Sequence, residues 1–264
     1  MKRKLFNVLL ILSLTMSLTV TGIFAESKPA KIQSVSQLKA ALNQNLTESE
    51  EKAVIEETES GVMDAFMTEK MDEAVELLNS QERDLVMKQL PDGAAYAVRN
   101  YDLGDGCTLT VELSDREEGQ ALKVPQISPM ATSGSSDQWK DYGNRYFTAR
   151  ASVTISNVAA SMSLENHYTL SADGIEERSG VADVSWSVVT GSCSKSKPVI
   201  TDRTAKTVGA SDVNMHCNYT FKGKDGRIEV PSEYKLNTAV GYVAINKTAK
   251  QIKVRQSWNL TKIS

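Results

Sequence analysis

The stretch NHYTLSADGIEE (residues 166–177) and the stretch NYTFKGKDGRIE (residues 218–229) share one pattern. In each, a Tyr-Thr pair lies in an alternating run that leads into Asp-Gly, and an isoleucine and a glutamate come after the glycine. Alternation with a period of two is typical of a half-buried strand, and Asp-Gly is typical of a turn. Each stretch therefore predicts a strand, a turn and a returning strand. We interpret the pair as a repeated hairpin rather than as an active site.

The same alternation continues through most of residues 138–264. It is clearest in NRYFTARASVTIS (144–156), SMSLENHYTL (161–170), VADVSWSVV (181–189), VNMHCNYTF (213–221) and QIKVRQSWNL (251–260). About seven or eight antiparallel strands in this span predict an all-β antiparallel sandwich, with a barrel as the alternative.

Residues 26–124 show helical signals instead. Thr47 and Glu50 have the spacing of a capping box, and Met63, Met67 and Met71 recur at helical intervals, which predicts a stripe packed in the core. The segment AYAVRNYDLGDGCTLTVELSD (95–115) then predicts a β-hairpin. The predicted fold class is therefore α+β, with a small helical and hairpin region before the sandwich.

A boundary between two regions is predicted at residues 125–137, PQISPMATSGSSD, because prolines, glycine and small hydroxyl residues are typical of linkers. The charge changes sign at the same place. Residues 26–137 carry 22 acidic and 10 basic side chains, and residues 138–264 carry 11 acidic and 17 basic ones. This asymmetry predicts electrostatic docking between the acidic and basic halves.

The N-terminus predicts export. Residues 1–25 combine a basic start, an apolar core and a small-residue site near Ala25, which is the form of a cleaved secretory signal peptide. No later segment is apolar enough to predict a stable membrane span after processing, so we expect a secreted, extracellular protein.

Three cysteines, Cys107, Cys193 and Cys217, are too few for a disulfide framework. An odd number leaves at least one thiol without an intramolecular partner. Cys193 and Cys217 are the candidate bridge because both lie in the basic half, and a free thiol at Cys107 would remain. The sequence leaves this pairing open.

Outward strand positions of the sandwich supply the candidate binding residues. They are expected to form a polar surface, and they are Glu165, His167, Asn214, His216, Asn218, Lys253 and Arg255. No catalytic, metal-binding or cofactor-binding motif is found in the sequence. Export argues against nucleic acid as a partner, and favours a host protein, a glycan or an anionic wall polymer.

Four stretches carry a resemblance to a known group. YDLGDGCTLTVEL (101–113), DYGNRYFTARASVT (141–154), SLENHYTLSADGIEER (163–178) and VGYVAINKTAKQIKVRQSW (240–258) resemble exported, largely uncharacterised proteins (domain of unknown function) of Gram-positive gut bacteria. The resemblance implies export and a C-terminal β-sandwich module. It transfers no active-site residues.

Three functions are compatible with these features. The first is a secreted, non-enzymatic module that binds a surface polymer, glycan or host protein through a sandwich face. The alternative is a precursor, in which cleavage near residues 125–137 removes an acidic propeptide and releases a basic antibacterial or toxin-like β-domain. The second alternative is a hydrolase acting on glycans or cell walls.

Overall fold

The computed structural model describes residues 31–80, 85–121, 137–187, 191–225 and 228–264. The predicted signal peptide, and all of the predicted linker except Asp137, lie outside these ranges. The described chain is mostly antiparallel β-structure with a smaller helical part at its beginning, which confirms the predicted α+β class.

Three helices precede the described strands: α1 (Val35–Leu42), α2 (Glu48–Glu57) and α3 (Ser60–Ser80). The predicted capping box is present at the start of α2, where the Thr47 backbone N–H donates to Glu50 Oε2 at 2.8 Å. Among the described residues, no helix combines the length and the apolar character needed to cross a bilayer.

The strands form two antiparallel sheets. The strands are β1 (Lys88–Gln89), β2 (Ala95–Asp102), β3 (Thr108–Glu117), β4 (Asp137–Asp141), β5 (Gly143–Ile155), β6 (Val158–Ser171), β7 (Gly174–Trp186), β8 (Ser192–Lys195), β9 (Val199–Asp202), β10 (Thr204–Ala205), β11 (Val213–Asp225), β12 (Ile228–Asn246) and β13 (Gln251–Lys262). A seven-stranded sheet has the order β1-β2-β3-β5-β6-β7-β10, and a six-stranded sheet has the order β4-β13-β12-β11-β8, with β9 also paired to β11.

The two stretches that opened the sequence analysis form the β6–β7 and β11–β12 hairpins, as predicted. Their tyrosines, Tyr168 and Tyr219, are fully buried between the sheets. The Tyr219 hydroxyl donates to the Ser163 carbonyl across the sandwich at 2.5 Å. The repeated Tyr-Thr pattern therefore reflects two hairpins that face each other across one core.

The β2–β3 hairpin changes the predicted organisation. The sequence pattern assigns this hairpin to the acidic region and begins the sandwich after residue 137, but β3 pairs with β5 along its whole length, from Thr108↔Thr154 to Glu117↔Arg145. The physical reason is burial, since Leu109, Val111 and Leu113 lie on the same inner face as the apolar residues of β5. The acidic region thus contributes strands to the sandwich itself.

Helix α3 is packed against both sheets. It contacts β11 and β13 of the six-stranded sheet and β5 of the seven-stranded sheet. Met63, Met67 and Met71 are buried together with Phe66, which confirms the predicted role of the methionine stripe in the core. Burial of a full apolar side chain stabilises a fold by about 1.5–3 kcal/mol, so this stripe is a substantial part of what holds the helix in place.

Polar contacts fix α3 to each sheet. The buried Lys70 ammonium donates to the Leu103 carbonyl at 2.8 Å and pairs with Asp105 at 2.8 Å, both in the β2–β3 turn. Two residues further on, Asp72 accepts from the Tyr234 hydroxyl at 2.8 Å and from Lys262 Nζ at 2.7 Å, both on the six-stranded sheet. The helix is therefore held at two points on opposite sides.

All three cysteines are free thiols, including the candidate pair Cys193 and Cys217. In the β8–β11 pairing, Cys193 lies opposite Phe221, four residues along β11 from Cys217. Four residues of a strand span roughly 13 Å. A disulfide needs Cα atoms within about 7 Å, so the register of this pair excludes the bridge.

A β-bulge interrupts the β6–β7 ladder, where His167 pairs with Ser179 and Tyr168 pairs with Glu177. Arg178 is the additional residue, and after it the side chains of β7 change face. The Glu177 side chain is turned inward and is fully buried beside Asn166. Burial raises the pKa of Glu177 to about 8, against the opposing influence of Asn166 and Arg203.

The Lys70 contacts predict a stability effect. Burial lowers the pKa of Lys70, but hydrogen bonds to Asp105 and Glu73 outweigh burial and leave it raised, so the ammonium stays charged and paired. Lys70→Met should lower the free energy of unfolding by about 3 kcal/mol, because the pair is broken from one side. Urea denaturation measures this. The exposed Lys52→Met on α2 is the control, expected within about 0.5 kcal/mol of wild type; equal effects of the two changes would contradict the anchoring role.

Glu177 predicts a pH effect. Between its usual pKa near 4.5 and the folded value of about 8, the folded chain holds a proton that the unfolded chain has released. The free energy of unfolding should therefore fall by about 1.4 kcal/mol per pH unit as pH rises through this window. Glu177→Gln should remove this fall, as measured by urea denaturation from pH 5 to about pH 9. Glu176→Gln, the exposed neighbour, is the control, and an unchanged profile in Glu177→Gln would refute the assignment.

Candidate functional site

The seven predicted binding residues lie on two opposite faces of the sandwich. Glu165 and His167 are on β6 of the seven-stranded sheet, and the other five are on β11 and β13 of the six-stranded sheet. The neighbouring residues of each strand are buried in the shared core, so both sets point outward from their own sheet. The expected single polar patch is therefore two separate surfaces.

On the seven-stranded sheet, one cross-strand row joins four strands. Arg116, Tyr146, His167 and Ser179 lie side by side in the register of β3, β5, β6 and β7. The Arg116 guanidinium carbon lies 4.7 Å from the centroid of the Tyr146 ring, and that ring lies 4.3 Å from the His167 ring, centroid to centroid. Stacking of this kind keeps the imidazole in a fixed orientation.

Glu165 lies beside this row and accepts hydrogen bonds from three directions. His167 Nε2 is 2.8 Å from one carboxylate oxygen, and Arg116 and Thr148 donate to the other at 3.0 Å and 3.2 Å. Burial raises the pKa of this carboxyl, but the hydrogen bonds from His167 and Arg116 outweigh burial and lower it. Glu165 is therefore a carboxylate that orients the imidazole.

Ser179 completes the row, and the sequence analysis did not identify it. Its hydroxyl lies 3.1 Å from His167 Nδ1, on the side of the ring opposite Glu165. Hydroxyl, imidazole and carboxylate in line form the group set that activates a nucleophile in acyl transfer. The bulge at Arg178 brings Ser179 opposite His167. The alternation of residues along β7 does not predict this pairing, because the bulge changes the register.

The outer face of the six-stranded sheet is rich in side-chain amides, and we call it the amide face. His216, Asn237 and Asn259 share one cross-strand row across β11, β12 and β13. Rows on either side contain Asn214 with Ser257, and Asn218 with Lys235 and Thr261. Burial lowers the pKa of His216, and the Lys235 ammonium lowers it further, so the imidazole is neutral at neutral pH.

The predicted basic residues lie at the β4 edge of the amide face. Arg255 Nε is 3.0 Å and Lys253 Nζ is 3.6 Å from the carboxylate of Asp137, so one anion serves both cations. Trp139 pairs with Lys253 in the β4–β13 register and is 41% exposed. This edge therefore presents an exposed indole beside two cations that share one carboxylate.

A third polar cluster, which the sequence analysis also missed, lies inside the sandwich. Asp115 on β3 is fully buried and accepts hydrogen bonds from Arg145, Tyr168 and Gln256. Lys140 Nζ lies 3.6 Å from the same carboxylate. Asp115 lies two residues after the buried Leu113 on β3, so strand alternation places its side chain on the inner face.

Within the described ranges, histidine, cysteine, aspartate and glutamate side chains do not gather in any group of three or more suited to hold a metal ion. Neither protein-family models, nor curated proteins, nor solved structures give a match to this chain. The assignment of function therefore rests on the geometry and chemistry of the described residues.

Proposed function

We propose that this chain is an exported, non-enzymatic binding module that recognises a glycan through its amide face. The observation that carries the proposal is the gathering of five of the seven predicted binding residues on one solvent-facing side of a single sheet. The remaining two, Glu165 and His167, lie on the opposite face of the sandwich, where their polar atoms already form hydrogen bonds with neighbouring side chains.

The chemistry of the amide face suits sugar hydroxyls. A carboxamide offers both donors and an acceptor, and a neutral imidazole offers one of each, so these groups match hydroxyls that also donate and accept. Adjacent strands place such groups about 4.8 Å apart, and alternate residues of one strand place them about 6.6 Å apart. Trp139 adds an exposed apolar ring surface at the edge.

The charges favour a neutral ligand. Lys253 and Arg255 supply positive charge at the edge of this face and share the Asp137 carboxylate, and Lys235 adds one ammonium in the row of Asn218. An anionic wall polymer or an acidic host protein would have to compete with this carboxylate. A neutral glycan needs no such exchange, and we therefore prefer it among the expected partners.

The precursor hypothesis receives less support from the same structure. Cleavage near residues 125–137 would leave β3 paired with β5, and Leu109, Val111 and Leu113 buried against the basic half. Release of a basic domain would require exposure of this apolar face to water. That separation is unfavourable by about 25 cal/mol for each Å² of apolar surface exposed.

The binding proposal predicts loss of affinity on two substitutions. Trp139→Ala and the double change His216→Ala with Asn237→Ala should each weaken binding by roughly thirtyfold, about 2 kcal/mol, because each removes side chains that the proposed ligand contacts. Affinity electrophoresis in gels that contain glucan, mannan, xylan, polygalacturonate or teichoic acid would first identify the polymer, and calorimetry would then measure the change.

Arg150→Ala, which alters the opposite face beside Glu112, is the matched control and should leave affinity unchanged. Retardation by the anionic polymers alone would replace the neutral-glycan proposal with an anionic one. If wild type and the amide-face variants are retarded equally, the amide face is not the glycan-binding site. If wild type is not retarded in any gel, the glycan-binding proposal is wrong.

A second candidate function follows from the Ser179–His167–Glu165 row. The hydrolase hypothesis lacked a pair of catalytic groups at the level of sequence, and this row supplies a nucleophile, a base and an orienting carboxylate within hydrogen-bond distance. The row lies on the outer face of the sheet, so a substrate would bind at the protein surface. Water is not excluded there, and it weakens the electrostatic interactions among the reacting groups.

This candidate predicts selective modification of Ser179. A fluorophosphonate probe should label Ser179 if His167 activates its hydroxyl, and His167→Gln should reduce the labelling rate at least tenfold, because general-base assistance contributes a factor of about 10²–10⁴. Peptide mass spectrometry locates the label. Ser152→Ala, which changes another serine on the same sheet face, is the control and should leave the labelling rate of Ser179 unchanged. If Ser179 in the folded protein is not labelled, the row of Ser179, His167 and Glu165 is not a hydrolase site.

A further inference from the structure

Lys140 and Asp115 form a buried pair between the two sheets. Lys140 is on β4, at the edge of the six-stranded sheet, and Asp115 is on β3 of the seven-stranded sheet. Their side chains are 1% and 0% exposed, and Nζ lies 3.6 Å from Oδ1. The amine and the carboxyl group are thus in van der Waals contact in a site that excludes bulk water.

The Asp115 carboxyl group is surrounded by donors. Arg145 donates from Nε at 2.7 Å and also from its Nη2, while Tyr168 Oη and Gln256 Nε2 donate to the second oxygen. Donors fixed in this way polarise the carbonyl carbon. They also stand where negative charge would develop on oxygen during attack at that carbon, as in an oxyanion hole.

The Lys140 amine has the properties of a nucleophile. It makes no hydrogen bond within the described chain, because 3.6 Å exceeds normal donor–acceptor distances. Burial lowers the pKa of the ammonium more than the attraction of Asp115 raises it, and the adjacent Arg145 cation lowers it further. A desolvated lysine with a lowered pKa is the form in which this side chain attacks carbonyl carbon.

We infer that Lys140 and Asp115 condense within the folded protein to form an isopeptide bond. The new bond joins Nζ of Lys140 to Cγ of Asp115 and links β4 to β3 across the sandwich. Neither a cofactor nor an oxidant takes part, since the condensation involves no change of oxidation state.

The atoms and protons balance within the pair. A proton passes from the Lys140 ammonium to the Asp115 carboxylate, which gives a neutral amine and a carboxylic acid. The nitrogen lone pair attacks Cγ, and a tetrahedral adduct forms in which Tyr168 and Gln256 donate to Oδ2, the oxygen that carries the negative charge. The Cγ–O bond then breaks, and the hydroxyl leaves with a second proton from nitrogen as one molecule of water.

Burial supplies the driving force for this condensation. In water, charged amine and carboxylate are strongly hydrated, and their condensation is opposed by the loss of that hydration. In the sandwich interior the hydration is already lost, and a buried ion pair with poor geometry is held at a penalty of several kcal/mol per ion. Conversion to a neutral amide removes both charges and releases water to the solvent.

Peptide mapping of the secreted full-length protein, denatured after purification, tests the inference. Trypsin should fail to cleave after Lys140, and a single branched species should join residues 100–116 to residues 124–145, with a mass one water below the sum of its two parts. Cleavage after Lys253, which lies at the same 3.6 Å from Asp137 on the surface, is the internal control.

Lys140→Met should give the unmodified 100–116 peptide, and Lys195→Met, which alters a more exposed pair with Asp183 at 3.9 Å, should retain the branched species. Folded wild-type protein held for several days that still yields stoichiometric linear 100–116 peptide and a peptide ending at Lys140 overturns the inference. This result is read from wild type alone, so it does not depend on the folding of any variant.

Discussion

The buried carboxylate of Asp115 is the constraint on which the arrangement of the two sheets depends. An isolated carboxylate in an apolar interior is strongly unfavourable, so it must be met by donors and by positive charge. Arg145 and Tyr168 come from the same sheet as Asp115, whereas Lys140 and Gln256 come from the other. Five strands must therefore be in one relative register for the charge to be satisfied. Apolar burial draws the sheets together, and this network selects how they align.

Polar contacts also fix the orientation of helix α3, in another part of the core. Its methionines supply apolar contacts of adaptable shape, which do not by themselves fix one orientation. Lys70 and Asp72 add that specificity, because each reaches a defined partner on a different sheet. The Asp72–Lys262 pair joins the acidic part of the chain to the basic part, whereas Lys70 and Asp105 both lie in the acidic part. With all three thiols free, apolar packing and these polar contacts hold the described fold.

Much of this architecture was accessible from the sequence, and the remainder was not for identifiable reasons. Period-two alternation predicted the sandwich strands and both hairpins, and helical spacing predicted the buried methionines. The sequence did not reveal that β3 pairs with β5, because a partner across a linker-like segment leaves no local signal. Glu165 and His167 were expected to face outward and do so, but Ser179 meets His167 only because Arg178 bulges from β7. Asp115 and Arg145 were overlooked because charged residues near strand ends are usually solvated.

The position of Lys140 connects these points to the export that we propose. A protein outside the cell meets proteases, and the segment between Asp115 and Lys140 contains the proline- and serine-rich residues 125–137. A disulfide across this segment would resist separation after a cut, but all three cysteines are free thiols. The described fold already joins the two sides of the segment through the β3–β5 ladder, which holds only while the protein is folded. A covalent bond from Asp115 to Lys140 would hold in the unfolded state as well, and closing a loop of roughly 25 residues would stabilise the fold by about 3.5 kcal/mol on the chain-entropy model. The buried pair is thus placed so that a cross-link would keep the two sides of this segment joined after cleavage, in a fold whose three cysteines are free.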